Sequence, residues 1–157
     1  MNILFAGTPK SSANILQCLI DNDDFNIIGV LTQPDKKGKR GNKLLESEVS
    51  SLAKKYNIPL YKPSDLKDGH ILDEIKLIKV DYLIVIAYGK ILPDWLLEIP
   101  AICSINIHFS LLPKYRGASP IQSALLNGDK KTGITYMKIS SELDAGDILS
   151  SYEIDIK

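Results

Sequence analysis

Short, uninterrupted apolar runs separated by helical patterns, beginning at the second residue, constrain this chain more than any other feature. Asn2-Ile3-Leu4-Phe5-Ala6 shows no alternation of apolar and polar positions, and Gly7-Thr8-Pro9 ends it. Such a run predicts a strand buried on both faces, followed by a tight turn. Residues 11–20 then place Ala13, Leu16, Leu19 and Ile20 on one helical face, with Ser11 or Ser12 available as the cap.

The alternation persists along the chain. Residues 25–32 read as a second strand, 47–56 as a helix, 58–61 as a short strand and 70–78 as a further helix. Residues 81–88 (DYLIVIAY) form the most hydrophobic stretch and predict a central strand, with 101–107 (AICSINI) another. Residues 120–126 predict a helix, and 135–139 and 148–154 two more strands. Continuous apolar strands alternating with helices require cover on both faces. The expectation is an α/β, Rossmann-like, mostly parallel sheet with helices on both faces. The first turn is not a dinucleotide cradle: it lacks G-x-G-x-x-G, and Pro9 removes a backbone donor. One long loop is expected over residues 33–46.

Composition narrows the class. With 157 residues, 45% hydrophobic and 24% charged, the chain has the balance of one compact globular domain, which excludes a disordered or collagen-like chain. Lys and Arg number 19, as do Asp and Glu, so a surface that grips nucleic acid throughout is not expected. Cys18 and Cys103 read as two reduced core thiols, and with His70 and His108 they show no zinc-ligand spacing. No apolar run is long enough to cross a bilayer. A soluble, cytoplasmic, metal-free chain follows as the expectation.

Four stretches carry chemistry. Asn106-Ile107-His108 ends a predicted central strand, and strand ends line the ligand crevice of open α/β sheets. Period-two alternation puts Asn106 and His108 on the same side. An amide donor beside an imidazole can hold an oxyanion and move a proton. Taken alone, N-x-H fits a plain hydrogen-bonded pair better. Residues 110–117 (SLLPKYRG) follow as an ordered loop whose Leu111 and Leu112 either line a pocket or plug the core. Leu143-Asp144-Ala145-Gly146-Asp147 places two acids at a flexible turn. Asp144 there either orients His108 or serves the turn alone. Residues 33–43 hold five basic side chains (Lys36, Lys37, Lys39, Arg40, Lys43) against one acid, a cationic loop suited to phosphates or simply solvated.

In this order the stretches resemble the folate-dependent formyltransferases. The matching segments are Phe5-Ala6-Gly7-Thr8-Pro9, Thr32-Gln33-Pro34-Asp35, Lys39-Arg40-Gly41 and Ala87-Tyr88-Gly89-Lys90-Ile91-Leu92-Pro93. They continue through Ile105-Asn106-Ile107-His108, the 110–117 loop, Ala118-Ser119-Pro120-Ile121-Gln122, Gly128-Asp129, Thr132-Gly133-Ile134-Thr135 and the Asp144 turn. The resemblance implies that Asn106, His108 and Asp144 are the catalytic trio. It implies 10-formyltetrahydrofolate as donor, held by Tyr88, Gly89, Ile91 and Leu92 and by Ser110, Leu111, Leu112 and Pro113. The acceptor it implies is initiator methionyl-tRNA, with Lys36, Lys37, Lys39, Arg40 and Lys43 on the acceptor stem, no metal, and a monomer. Phe109 departs from the pattern, standing where a small residue usually follows the His. Family members normally continue into a β-barrel domain, so residues 1–157 are expected to be a shortened catalytic domain without it. Siblings that formylate glycinamide ribonucleotide or a nucleotide-linked amino sugar, and a folate-binding fragment without turnover, remain the alternatives.

Overall fold

The computed structural model describes residues 1–37, 44–67 and 70–157. The chain divides into two compact units, Met1–Cys103 and Ser104–Lys157.

The first unit is built on β1 (Asn2–Gly7), β2 (Asn26–Leu31), β5 (Leu60–Tyr61) and β6 (Tyr82–Ile86), in the spatial order β5-β2-β1-β6 and all parallel. Ile3, Leu4, Phe5 and Ala6 of β1 are buried, as are Val30, Leu31, Leu83 and Ile86. This is the two-sided burial that the unbroken apolar runs predict. Helices α1 (Lys10–Ile20) and α2 (Glu48–Lys55) connect β1 to β2 and β2 to β5, and they pack on each other and on these strands. The chain then reverses direction across the sheet, from β5 to β6 through α3 (His70–Lys76). Right-handed crossovers place a connection of reversed direction on the opposite face. The reversal makes a topological switch point between β1 and β6, and the ligand crevice of such sheets lies at the strand ends there.

Several side chains stitch these strand ends. Thr8 Oγ1 and Gln33 Nε2 both donate to the Tyr88 carbonyl, at 2.9 and 3.1 Å. The Ser12 hydroxyl, fully buried, donates to the Ile86 carbonyl at 2.7 Å. Ser11 or Ser12 was expected as the helix cap. The N-cap of α1 is instead Pro9, without a side-chain cap bond, because Ser12 is spent on β6. Gly7 is small for the same reason: a Cβ there would stand 2.7 Å from Ser12 Cβ and 2.9 Å from the Ile86 carbonyl oxygen. Helix α2 is capped by Ser47, the first residue of the predicted helix, whose Oγ accepts from Ser50 N at 3.0 Å.

The long loop expected at 33–46 contains a short hairpin stem. Strands β3 (Lys36–Lys37) and β4 (Leu44–Leu45) pair antiparallel. Lys62 ties its two ends, its Nζ 2.7 Å from Asp35 Oδ1 and 3.3 Å from Glu46 Oε1. A one-turn helix, α4 (Asp94–Leu97), was not expected; four residues are too few to show a period, although Leu96 is buried. Cys18 is exposed and Cys103 half-buried, so the two core thiols expected from apolar neighbours are not core residues. Cys18 falls off the stripe that buries Ala13 and Leu16.

The second unit is antiparallel. β7 (Cys103–His108) pairs with β8 (Lys131–Lys138), which pairs with β9 (Ile148–Asp155). Helix α5 (Pro120–Leu126), with Pro at its start, packs on β8. β8 begins four residues earlier than predicted, because Lys131 and Gly133 hide the strand pattern. All eight residues of β9 are exposed. Among the described residues no helix is long and apolar enough to cross a membrane.

Candidate active site

β7 delivers Asn106 and His108 to the same side, and both reach one carboxylate. Asn106 Nδ2 donates to Asp144 Oδ1 at 3.3 Å, and His108 Nδ1 lies 3.7 Å from Asp144 Oδ2. The His108 and Asp144 side chains are 7% and 9% exposed, so the three residues that the resemblance groups are brought together and shielded. Shielding strengthens each of these polar contacts relative to water.

Asp144 holds its place by an unusual backbone. Its φ is +49°, in the left-handed region that Asp tolerates better than most residues. The carboxylate also accepts from the Gly117 N–H at 2.7 Å. One carboxylate therefore gathers an amide side chain, an imidazole and a main-chain donor. The turn expected in the sequence is present at this residue, and its carboxylate also faces the imidazole, at 3.7 Å rather than at hydrogen-bond length.

The 110–117 loop is fixed from beneath by β8. Thr135, paired opposite His108 in the β7–β8 register and fully buried, donates through Oγ1 to the Ser110 carbonyl at 2.7 Å and accepts from Leu112 N at 3.1 Å. The Ser110 hydroxyl turns back to the Lys114 carbonyl at 2.6 Å. Leu111 sits on Gly133 of β8, where an added Cβ would come within 2.5 Å of its Cδ2. Leu111 thus serves packing, and the peptide Leu112-Pro113 is cis. Leu112, Pro113, Arg116, Asp144 and Gly146 border a small cavity of about 40 Å³.

The imidazole is oriented by a main-chain atom. His108 Nε2 lies 2.9 Å from the Tyr115 carbonyl oxygen. A carbonyl can only accept, so Nε2 carries a proton, and Nδ1 is the nitrogen that faces Asp144. Tyr115 itself has φ +59°. Its hydroxyl donates to Asp129 Oδ2 at 2.8 Å, and Lys114 Nζ meets the same oxygen at 2.7 Å. The Lys114 and Tyr115 hydrogen bonds hold the Asp129 carboxyl below the usual carboxylate range. Tyr115, Gly117 and Thr135 were not singled out for these roles in the sequence. Main-chain partners leave no residue-type signal, and Thr135 betrays itself only as a polar residue inside a strand.

The remaining expected residues are placed as follows. Tyr88, Gly89, Ile91 and Leu92 belong to the first unit, just past β6 at its switch point. Tyr88 is buried, its hydroxyl has no hydrogen-bond partner, and burial pushes its pKa up to about 12. Ile91 is 90% exposed, and Gly89, at φ +86°, has only Gln33 Nε2 near its open side. Lys36 is exposed on β3, and Lys37 shares that strand. Lys39, Arg40 and Lys43 lie outside the described residues. Phe109 is half-buried. No group of three or more His, Cys, Asp or Glu able to hold a metal occurs among the described residues.

Residues 1–157 match the profile of the family described as formyl transferase. The chain belongs to the formyl transferase family. It is 46% identical over 156 residues to the methionyl-tRNA formyltransferase of Clostridioides difficile (strain 630), covering 99% of this chain and 50% of that protein. It is equally similar, 46% over 156 residues with the same coverage, to the methionyl-tRNA formyltransferase of Thermotoga maritima. The chain spans about half the length of the curated relatives it matches. Among solved formyl transferase structures, glycinamide ribonucleotide transformylase 1 from Geobacillus kaustophilus superposes with a TM-score of 0.79 at 21% identity, covering 99% of this chain and 83% of that one. At that identity the likeness establishes the Rossmann-like formyltransferase fold alone.

Proposed function

We propose that this chain carries the formyl-transfer chemistry of a methionyl-tRNA formyltransferase, moving a formyl group from 10-formyltetrahydrofolate to the α-amino group of initiator methionyl-tRNA in the cytoplasm. The observation that carries the reading is the convergence of Asn106, His108 and Asp144 on one shielded carboxylate. The 46% identity to proteins of that name supports this acceptor over a nucleotide or amino-sugar one.

The residues suit the reaction. The donor supplies an electrophilic formyl carbon; when the amine bonds to it, the C=O electron pair moves to oxygen and must be held there. Asn106 spends one amide N–H on Asp144 and has a second to offer that oxygen. Such a donor is worth roughly 3 kcal/mol in the transition state. His108, with Nδ1 toward Asp144, is set to take the proton of the attacking amine and pass it to the leaving nitrogen. The C–N bond to that nitrogen then breaks, its electron pair staying on the nitrogen. The 40 Å³ cavity beside Asp144 is large enough for a relaying water. Exposed Ile91 and the open side of Gly89 suit a flat heterocycle, which is where the pterin would rest. Lys36, Lys37, Lys39, Arg40 and Lys43 supply the charge for an acceptor stem.

The test is transfer of labelled formyl from 10-formyltetrahydrofolate to charged initiator tRNA, glycinamide ribonucleotide and an amino-sugar nucleotide in parallel. Transfer to the tRNA is expected; transfer only to another acceptor overturns the assignment.

A further inference from the structure

The orientation of His108 depends on where the Tyr115 carbonyl stands, and nothing in the trio holds that carbonyl. Tyr115 adopts a left-handed backbone, φ +59°, which bulky side chains rarely keep without external restraint. The restraint is traceable. Tyr115 OH and Lys114 Nζ both bind Asp129 Oδ2, and Lys114 Nζ also lies 4.9 Å from the Tyr115 ring centre. Two adjacent residues of the loop are thus pinned at one oxygen.

Asp129 is itself fixed by the end of α5. Gly128 N–H bonds to the Leu125 carbonyl and Asp129 N–H to the Ala124 carbonyl, both near 3.0 Å, with Gly128 at φ +67°. That pair of bonds is a Schellman cap. It rigidly sets the position from which Asp129 reaches the loop. A chain of contacts therefore runs from the α5 cap, through Asp129 and Tyr115, to His108 Nε2.

We propose that Asp129 is a positioning residue for His108: by anchoring Tyr115 it keeps that carbonyl on Nε2–H, and so leaves Nδ1 as the nitrogen turned toward Asp144. Its relevance to catalysis rests on the formyl-transfer reading above, but its effect on the imidazole does not.

The test begins with the ring. His70 and His108 are the two histidines of the sequence, so a His70→Gln variant assigns the imidazole signals in a long-range proton–nitrogen NMR spectrum at alkaline pH. The parent shows His108 as the Nε2–H tautomer. Asp129→Ala loses Nε2–H as the dominant form, while Asp129→Asn, whose amide oxygen still accepts from Tyr115, retains it. Tyr115→Phe removes the same anchor from the other side and reproduces the loss should Asp129→Ala fail to fold. Retention of the parent tautomer in Asp129→Ala, or in Tyr115→Phe, overturns the proposal. In formyl transfer, Asp129→Ala lowers kcat by about 10- to 100-fold with little change in KM, the size of effect that follows from misplacing a catalytic group. A parent without any formyl transfer overturns the proposed function, and the tautomer spectrum alone then decides the role of Asp129.

Discussion

Both units fasten main chain with hydroxyls, but only the second also turns polar side chains toward one another. In the first, hydroxyls act as rivets: the buried Ser12 on the Ile86 carbonyl and the half-buried Thr8 on the Tyr88 carbonyl each close a gap between elements that apolar packing has already brought together. In the second, Thr135 rivets the Ser110 carbonyl in the same way, and polar side chains of β7 and of the turn before β9 are gathered as well. Asn106, His108 and Asp144 face one another, and β9 is exposed along its whole length. Stability is thereby concentrated where strands are buried on both faces, and the cluster proposed to carry the chemistry lies where β7 ends. The difference teaches that a site can be assembled on a unit with few buried strands, provided main-chain donors and acceptors fix its side chains.

The largest effect should come from breaking the first unit. Phe5 is fully buried in the central strand β1. Phe5→Ala removes a ring and leaves a cavity, a loss of about 3–5 kcal/mol. Urea unfolding should show the corresponding fall in midpoint. A loss under 1 kcal/mol would mean that the apolar sheet is not where stability lies.

Next comes a change in the second unit that should leave unfolding nearly untouched. Asn106→Ala deletes the amide that the proposed mechanism offers to the developing oxyanion, and formyl transfer should fall about 10²- to 10³-fold. The urea midpoint should stay close to that of the parent, since Asn106 is half-buried and makes one long hydrogen bond of 3.3 Å. If both stability and activity collapse together, the contrast between the units fails.

These two residues also show what the sequence makes legible. Phe5 sits in an unbroken apolar run, and Asn106 shares a strand side with His108, so periodicity alone places both. The convergence on Asp144 was open, because a Leu-Asp-Ala-Gly-Asp stretch is as good a turn as it is a site. What holds Asp144 beside Asn106 and His108 is its +49° backbone and the Gly117 N–H, features that no residue type announces. The Tyr115 carbonyl is hidden for the same reason, being a main-chain atom. The hairpin stem β3–β4 escaped because two-residue strands are shorter than any period, and Cys18 misled because apolar neighbours in sequence are not neighbours on a helix face.

An intermediate effect should follow at Asp144. Asp144→Ala strands the Gly117 N–H, which now bonds to Oδ2 at 2.7 Å, and places a residue with no polar side chain in a left-handed backbone. A fully buried donor left without its partner costs about 1–3 kcal/mol, and the half-buried Gly117 N–H should fall at the lower end. Asp144→Asn keeps an acceptor oxygen and the tolerance for that backbone, so it should lose less. Hydrogen exchange at Gly117 reports the difference directly: strong protection in the parent, partial in Asn, little in Ala. Equal protection in all three would show that the carboxylate does not hold the loop.

The smallest effect belongs to the ion network of the first unit, and its pH dependence sharpens the contrast. Hydrogen bonds from Lys54, then Ser50, then Lys62 lower the Glu46 pKa from 4.5 to about 2. A carboxylate whose folded pKa lies below its unfolded value stabilises the fold above the unfolded value, and that contribution fades as pH falls toward the folded one. Glu46→Gln should therefore cost most at neutral pH and progressively less between about pH 4.5 and 2, where parent and variant converge. Glu46 and Lys54 are both partly exposed, so the neutral-pH difference should be about 0.2–1 kcal/mol. Thermal unfolding of the two chains across pH 2–7 measures it. A difference that grows on acidification would mean that protonated rather than ionised Glu46 is the stabilising form. Because the Asn106–His108–Asp144 cluster shares none of these partners, formyl transfer at neutral pH should be unchanged by the same substitution, which separates the charge that supports the fold from the charge that supports the reaction.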